Sequence, residues 1–153
     1  MALVIIPGLL LWLSRGTASA PRLAHPSEPQ FWLGWLSLVL GITLAVWTSH
    51  LQLSMGQGTP TPWDPTKKLV VAGPYSHVRN PMITGAFLIL LGEANLLHSW
   101  TTAAWLGVFL VSNLIYLPLV EEKELEERFG GEYRDYKEHV PRWIPRLRPW
   151  QKH

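Results

Sequence analysis

An arginine and a pair of glutamates stand at the borders of apolar runs in this 153-residue chain. Arg79 lies in the segment GPYSHVRNPM, directly before one apolar run, and Glu121 and Glu122 directly follow another. A guanidinium group can hold a carboxylate, and a carboxylate can hold an ammonium group, so the three side chains could bind a zwitterionic small molecule. The other interpretation is an interfacial Arg–Glu pair that only fixes the topology of a membrane protein.

The composition is that of a small membrane protein. Hydrophobic residues make up 48% of the chain and charged residues only 16%, whereas soluble domains have about a quarter charged residues. Cysteine is absent, which excludes disulfides and cysteine metal sites, and the six His show no metal-binding spacing, so no metal site is expected. Eight of the thirteen Lys and Arg follow Val120. This uneven distribution bears on membrane orientation, and no nucleic-acid partner is expected.

Four apolar stretches predict an all-α integral membrane protein with about four transmembrane helices. The first, residues 2–14, is shorter than the roughly 20 residues that a spanning helix needs, and a cleavable signal peptide is the alternative there. The second runs from residue 31 to about 55 and has Trp residues near its ends, as at membrane interfaces. The third, 82 to about 97, and the fourth, 102–120, are joined by a few residues and must form an antiparallel hairpin.

The predicted hairpin brings Arg79 and the glutamate pair to one membrane face. Pro81 is tolerated in the first turn of the third helix, whose positive N-terminus adds to the charge of Arg79. The same face carries Lys67, Lys68 and the basic C-terminal segment, so the positive-inside rule makes it cytoplasmic. We therefore expect a multi-pass protein with its site and C-terminus in the cytoplasm.

The segment after Glu121 predicts an amphipathic helix at this face. Apolar residues recur there at steps of four, four, three and four, which is the repeat of one helical face: Leu125, Phe129, Tyr133, Tyr136 and Val140. Gly130 and Gly131 can divide this helix in two. Glu121 and Glu122 border the same apolar face.

Two segments bracket the predicted hairpin, KKLVVAGPYSHVRNPMITG before it and EEKELEERFGGEYRDYKEHVPRWIP after it. They resemble the motifs G-x-Y…R-[HN]-P-x-x-x-G and E-E…L…F-G-x-x-Y-x-x-Y…V-P of the small integral-membrane methyltransferases. That family includes isoprenylcysteine carboxyl methyltransferase and the phospholipid N-methyltransferases. The resemblance covers roughly residues 56–153, the cofactor-binding half of the single methyltransferase-like domain that we expect over residues 1–153. It also implies that S-adenosylmethionine is held at the cytoplasmic face by these motifs.

Position by position, the resemblance implies a set of residues that contact the cofactor: Lys67, Lys68, Leu69, Val70, Tyr75, Arg79, Asn80, Pro81 and Glu121. Glu122 is implied to assist Glu121. A protonated amine acceptor must lose a proton, which His77 or a water held by Glu122 could take. The catalytic candidates are therefore Arg79, Glu122 and His77.

The methyl acceptor is expected to be lipophilic and uncharged. Isoprenylcysteine enzymes carry an Arg four residues before the cofactor-binding Glu, and Leu117 stands at that position here. Without that Arg, a carboxylate acceptor would lie unpaired in a low-dielectric cavity. We therefore expect an amine, as in phospholipid N-methylation, rather than a prenylcysteine carboxylate. The alternatives are a carboxyl O-methyltransferase, a nicotinamide-dependent membrane reductase of similar hairpin architecture, and a non-catalytic membrane scaffold.

Overall fold

The computed structural model describes residues 22–57 and 66–151, and all regular structure in these two ranges is helical. The α-helices are α1 (Pro29–Met55), α2 (Pro81–Leu96), α3 (Trp100–Tyr116), α4 (Glu122–Phe129) and α5 (Gly131–His139). A 3₁₀ turn covers Gly73–Ser76, and a π turn covers Leu117–Glu121. The all-α prediction is confirmed for these ranges. The first predicted apolar stretch, residues 2–14, lies outside the described residues.

Within the described ranges, two helical segments are long and apolar enough to cross a membrane: Pro29–Met55, and Trp100–Phe129, in which α3 continues through the π turn into α4. Helix α2 is also apolar but has only 16 residues. Many large apolar side chains of α1 and α3 are more than half exposed, among them Trp32, Val39, Val46, Val111 and Ile115. A soluble protein rarely leaves so much apolar surface in water. The two long helices therefore favour a membrane protein.

The chain divides into two compact units. Of the described residues, the first unit contains 22–43 and 85–114, and the second contains 44–57, 66–84 and 115–151. The single domain expected from the sequence stays a prediction.

Glycines allow α1 and α2 to pack closely in the first unit. A Cβ atom at Gly41 would lie 2.8 Å from the carbonyl oxygen of Gly85, and one at Gly92 would lie 2.9 Å from that of Gly34. Any larger residue at these positions would push the two backbones apart. Such small-residue contacts are the usual way in which membrane helices approach one another.

The apolar stripe predicted on α4 and α5 forms the core of the second unit. Tyr133, Tyr136 and Val140 are buried, and the partly buried residues against them include Leu125 and Phe129. Helix α4 ends at Gly130, whose φ of 56° lies in the left-handed region that glycine adopts without a steric penalty. Both the stripe and the division of the helix at Gly130 are confirmed.

Candidate functional site

Arg79 and Glu122 form a buried ion pair in the second unit. The Nη1 group of Arg79 donates a hydrogen bond to Oε1 of Glu122 at 2.9 Å, and the two side chains are only 10% and 5% exposed. Arg79, two residues before the start of α2, and Glu122, the first residue of α4, therefore meet, as the sequence predicted. Both ions have lost most of their water, which costs free energy, and an interfacial anchor that keeps its charge hydrated does not need such burial.

Glu122 is held by two further cations. Arg142 grips it with two hydrogen bonds, from Nε to Oε1 at 2.7 Å and from Nη2 to Oε2 at 2.9 Å. The ammonium group of Lys137 lies 3.3 Å from Oε2. Three positive charges around one carboxylate oppose its protonation, so this geometry suits Glu122 to positioning Arg79 rather than to accepting a proton.

The π turn before α4 sets the direction of the two glutamates. Pro118 lies in this turn, and it has no N–H to donate to the preceding helical turn. The wider π turn accommodates that missing hydrogen bond and shifts the helical register by one residue. Glu122, the first residue after the turn, is buried at 4% exposure, and Glu121, the last residue of the turn, is half-buried.

The C-terminal segment fixes the loop that carries Arg79. The Arg79 amide donates to the Pro141 carbonyl at 2.9 Å. Further along, the Arg146 amide donates to the His77 carbonyl at 3.0 Å, and the Trp150 amide donates to the Ser76 carbonyl at 3.0 Å. Three backbone hydrogen bonds at intervals along the loop leave Arg79 little freedom to change its position.

Tyr75 connects this loop to α1 and α5. Its hydroxyl accepts a hydrogen bond from Nε2 of Gln52 at 2.6 Å, and its carbonyl accepts one from the Tyr136 hydroxyl at 2.7 Å. Burial raises the pKa of Tyr75 to about 12, and the nearby Glu121 carboxylate adds to the increase, while the Gln52 hydrogen bond opposes it. Tyr75 is therefore neutral at physiological pH.

Tyr133 lies beside the ion pair. Burial raises the pKa of its hydroxyl to about 12, the Glu122 charge adds to this increase, and the Arg79 guanidinium opposes it. Burial also raises the pKa of Tyr136, with Tyr75 and Tyr133 as further causes. These three hydroxyls give the site neutral polar groups but no proton acceptor near neutral pH.

Several polar atoms of the second unit are buried without a hydrogen-bond partner. They are two donors on adjacent residues, Arg79 Nε and Asn80 Nδ2, and one acceptor, Gln52 Oε1. The Glu121 carboxylate, close enough to Tyr75 to affect its pKa, has no hydrogen bond or ion pair within the described part of the chain. Buried polar groups without partners are unusual in folded proteins and call for an explanation such as a ligand.

The four residues that precede this loop are placed differently. Lys67 and Lys68 are exposed, and their amides donate to the Gly56 carbonyl at 2.8 and 3.1 Å. Leu69 packs against the aromatic core, and Val70 is buried. Their side chains therefore face solvent or the core rather than the ion pair, and a ligand contact there would use mainly the backbone.

A cavity of about 670 Å³ borders the same loop. Two predicted site residues, His77 and Pro81, line it, together with Trp47 from α1 and Pro149 and Trp150 from the C-terminal segment. Of the residues that the structure describes, no Asp, Glu, Lys or Arg lines this cavity. Its volume lies within the range of small-molecule sites, about 300–1,000 Å³.

His77 is held in one tautomer by the backbone. Its Nδ1 lies 2.7 Å from the carbonyl oxygen of Arg146. Because a carbonyl oxygen only accepts hydrogen bonds, Nδ1 must carry the proton. The neutral ring then has its lone pair on Nε2, so His77 retains one nitrogen that can take a proton.

The chain is similar to one protein family and to known proteins. The model of the family described as phospholipid methyltransferase matches residues 29–132. The chain belongs to this family. It is 32% identical over 127 residues to a methanethiol S-methyltransferase of Pseudomonas deceptionensis, which covers 77% of this chain and 44% of that enzyme. It is also 44% identical over 57 residues to an uncharacterized protein of Haemophilus influenzae, which covers 32% of this chain and 89% of that protein. No solved structure matches.

These matches confirm the family that the two sequence motifs indicated. They support a methyltransferase of a membrane family. The alignment with the methanethiol enzyme spans less than half of that protein.

Sequence reasoning missed several residues of this site. Gln52 lies in an apolar helix, where no motif marks it as a site residue. Lys137 and Arg142 belong to a basic segment in which the sequence does not show which cation contacts Glu122. Tyr133 was recognised only as a core residue. In the described ranges, no cluster of His, Asp and Glu could hold a metal ion.

Proposed function

We propose that this protein is an S-adenosylmethionine-dependent methyltransferase that acts on an uncharged lipophilic acceptor at the cytoplasmic face of a membrane. The observation that carries the proposal is the group of unpartnered polar atoms around Arg79, in a chain that belongs to a methyltransferase family. Membership of the phospholipid methyltransferase family supports methyl transfer as the reaction. The unpartnered atoms indicate where a charged methyl donor could bind.

The residues present fit the amino-acid end of S-adenosylmethionine. That end is a zwitterion, and it needs donors for its carboxylate and an anion for its ammonium group. Arg79 Nε and Asn80 Nδ2 are free donors, and the N-terminus of α2 adds a positive field at the same place. Glu121 supplies the anion, and Gln52 Oε1 supplies a further acceptor.

When bound, this cofactor supplies a methyl group on a positively charged sulfur, which a nucleophile attacks in line with the departing sulfur. The chain's own residues would provide position and a dry environment. Arg142 and Lys137 hold Glu122, and Glu122 in turn holds the Arg79 side chain. The C-terminal segment holds the Arg79 backbone. A rigid, poorly hydrated site is what an in-line displacement requires.

The acceptor is proposed to be an amine or a thiol rather than a carboxylate. Leu117 stands at the position where the isoprenylcysteine enzymes carry an Arg, and it is fully buried. Because leucine is uncharged, this position supplies no cation to balance the charge of an acceptor carboxylate. A thiol is the second candidate because the relative from Pseudomonas deceptionensis is a methanethiol S-methyltransferase.

The protein is proposed to be multi-pass, with about four membrane helices and the site in the cytoplasm. Two segments with the length to span, a shorter apolar α2 and the predicted first stretch support the number. Eight of thirteen Lys and Arg after Val120 support the orientation.

Binding and product analysis together test the function. Purified protein is titrated with S-adenosylmethionine and, separately, with NADPH by calorimetry. It is then incubated with methyl-labelled S-adenosylmethionine and either total membrane lipid or a panel of small thiols and amines, and labelled products are identified by mass spectrometry. We expect binding of S-adenosylmethionine alone and label in a neutral acceptor. Binding of NADPH alone would favour a reductase, and binding of neither would favour a scaffold.

A further inference from the structure

We infer that the cavity beside His77 receives the methyl acceptor, and that this acceptor is a small uncharged thiol whose proton passes to Nε2 of His77. The inference rests on the proposed methyl transfer and assigns its acceptor site and substrate class. It depends on three observations: the cavity is formed within the second unit, its described lining has no charged side chain, and His77 is held in one tautomer.

The uncharged lining selects among acceptors. A phospholipid headgroup brings a phosphate, and a fatty or prenylated acid brings a carboxylate. Either would need a cation, and the described lining residues include none. An alkylamine is protonated at neutral pH, since its pKa lies near that of Lys at about 10.4. Among the lining residues that the structure describes, no carboxylate could hold that ammonium group. A thiol enters as a neutral molecule, since even the Cys thiol has a pKa of about 8.5 and simple alkyl thiols are weaker acids.

The apolar surfaces of Trp47 and Trp150 suit such a ligand. Both rings line the cavity, and Pro145 and Pro149 add further apolar surface without side-chain hydrogen-bonding groups. Sulfur is polarizable and makes favourable contacts with aromatic rings. A small thiol would therefore gain contact area here without leaving a polar group unsatisfied.

His77 supplies the one proton acceptor among the described lining residues. The S–H bond of the thiol breaks heterolytically, its electron pair stays on the sulfur, and the proton forms a new N–H bond at Nε2. Thiolate is the nucleophilic form of sulfur. The resulting imidazolium still donates Nδ1–H to the Arg146 carbonyl, so the ring does not have to move during the proton transfer.

Fluorine NMR tests the location and the class of ligand without the cofactor. The full chain is labelled with 5-fluorotryptophan, and the Trp47 and Trp150 signals are assigned with Trp→Phe variants. Propane-1-thiol, propylamine, propionate and glycerophosphoethanolamine are added in turn. We expect saturable shifts of these two signals with the thiol alone, while Trp100, which does not line the cavity, stays unchanged. Equal shifts with propionate or the phosphate ligand would overturn the substrate class.

A matched pair of histidine variants tests the proton transfer. In His77→Asn, the side-chain amide can still donate to the Arg146 carbonyl, but no basic nitrogen remains. His25 is exposed, has Nδ1 2.8 Å from the Ser27 hydroxyl oxygen and does not line the cavity, so His25→Asn is the control. We expect His77→Asn to keep the thiol-induced shifts and to lose about 100-fold or more in kcat for S-methylation. The control variant should keep both the thiol-induced shifts and the wild-type kcat for S-methylation. A His77→Asn enzyme that turns over thiol at the wild-type rate would exclude His77 as the acceptor of the proton.

Failure of this inference can be told apart from failure of the proposed function. If S-adenosylmethionine binds by calorimetry but the thiol moves neither Trp signal, the acceptor site is wrong and the function stands. If S-adenosylmethionine itself shifts Trp47 and Trp150, and the thiol does not, the cavity belongs to the cofactor. If S-adenosylmethionine does not bind at all, the proposed function fails first.

Discussion

Arg79 donates a hydrogen bond from Nη1 to Glu122 at 2.9 Å, while Nε of the same guanidinium is buried without a hydrogen-bond partner among the described residues. A purely structural ion pair would leave no such donor, because an unsatisfied buried N–H costs about 1–3 kcal/mol. A snorkelling anchor would also place its charge in water rather than at 10% exposure. The arrangement therefore favours a ligand-binding role for Arg79 in addition to its role in the fold.

Arg79→Lys separates these two roles. Lysine retains a positive charge that can reach Glu122, but it has no counterpart of Nε and no planar fork. We expect the variant to fold and to bind S-adenosylmethionine more weakly by about 1.5–3 kcal/mol, or roughly ten- to hundredfold in Kd. Calorimetry measures the change, with Arg128→Lys on the exposed side of α4 as the control. If Arg79→Lys binds S-adenosylmethionine with wild-type affinity, Arg79 is a membrane anchor and not a ligand contact.

Glu121→Gln tests the proposed ammonium contact. Glu121 is half-buried without a partner in the described ranges, whereas Glu124 is exposed on the same helical segment. Removing the charge at Glu121 should weaken cofactor binding by about 1.5–3 kcal/mol, and Glu124→Gln should leave it unchanged. Equal Kd values for the two variants by calorimetry would show that Glu121 does not hold the ammonium group.

Glu122→Gln should reduce stability as well as binding. The neutral amide leaves Arg79, Arg142 and Lys137 without their shared counter-ion in a largely buried site. Breaking a buried ion pair in this way costs about 3–5 kcal/mol, whereas Glu124→Gln at the surface should cost less than about 0.5 kcal/mol. Thermal or denaturant unfolding in detergent measures both. The double variant Glu122→Gln/Arg142→Met should recover part of the loss, because it removes one of the uncompensated charges. A single variant as stable as wild type would contradict the central role of Glu122.

The sequence predicted the contact between Arg79 and Glu122 because that contact follows from topology. Two apolar runs joined by a few residues have to return on themselves, and the polar residues at their far ends then meet. The apolar stripe through Tyr133 and Tyr136 could be predicted equally well, since burial of one helical face repeats apolar residues every three or four positions. In contrast, Arg142 follows Pro141 in a segment without regular structure, where no period connects a residue to its partner.

Two features of the site depend on three-dimensional packing that no sequence pattern encodes. The π turn at Leu117–Glu121 changes the register by one residue, so helical counting could not show which glutamate would be buried. The tautomer of His77 depends on the carbonyl of a residue 69 positions away. The positioning role that this geometry favours for Glu122 depends on the same kind of packing, because Arg142 and Lys137 reach it only when α5 and the C-terminal segment are folded beside the loop that carries Arg79.

The raised tyrosine pKa values predict a loss of stability at alkaline pH. The pKa of Tyr75 and of Tyr133 is about 12 in the folded protein, against about 10 for an unfolded chain. The folded state therefore holds these protons more tightly, and the resulting stabilisation is complete below about pH 10 and is lost as the pH rises to about 12. Thermal unfolding across this window, with tyrosinate absorbance recorded in parallel, measures both effects. Tyr75→Phe should unfold with a weaker pH dependence there, and an unchanged dependence would show that Tyr75 does not titrate as described.

The last prediction concerns the membrane face on which the site lies. Since the chain has no cysteine, single cysteines can be introduced and tested with a membrane-impermeant thiol reagent. Lys68 and Glu124 are exposed near the proposed cofactor site, and Trp100, at the start of α3, is 82% exposed. The short connection between α2 and α3, together with the positive-inside rule, predicts that Trp100 faces away from the cytoplasm. We expect Trp100→Cys to react in intact cells, and Lys68→Cys and Glu124→Cys to react only after the membrane is opened. Labelling of positions 68 and 100 from the same side would refute the hairpin topology, and with it the cytoplasmic site.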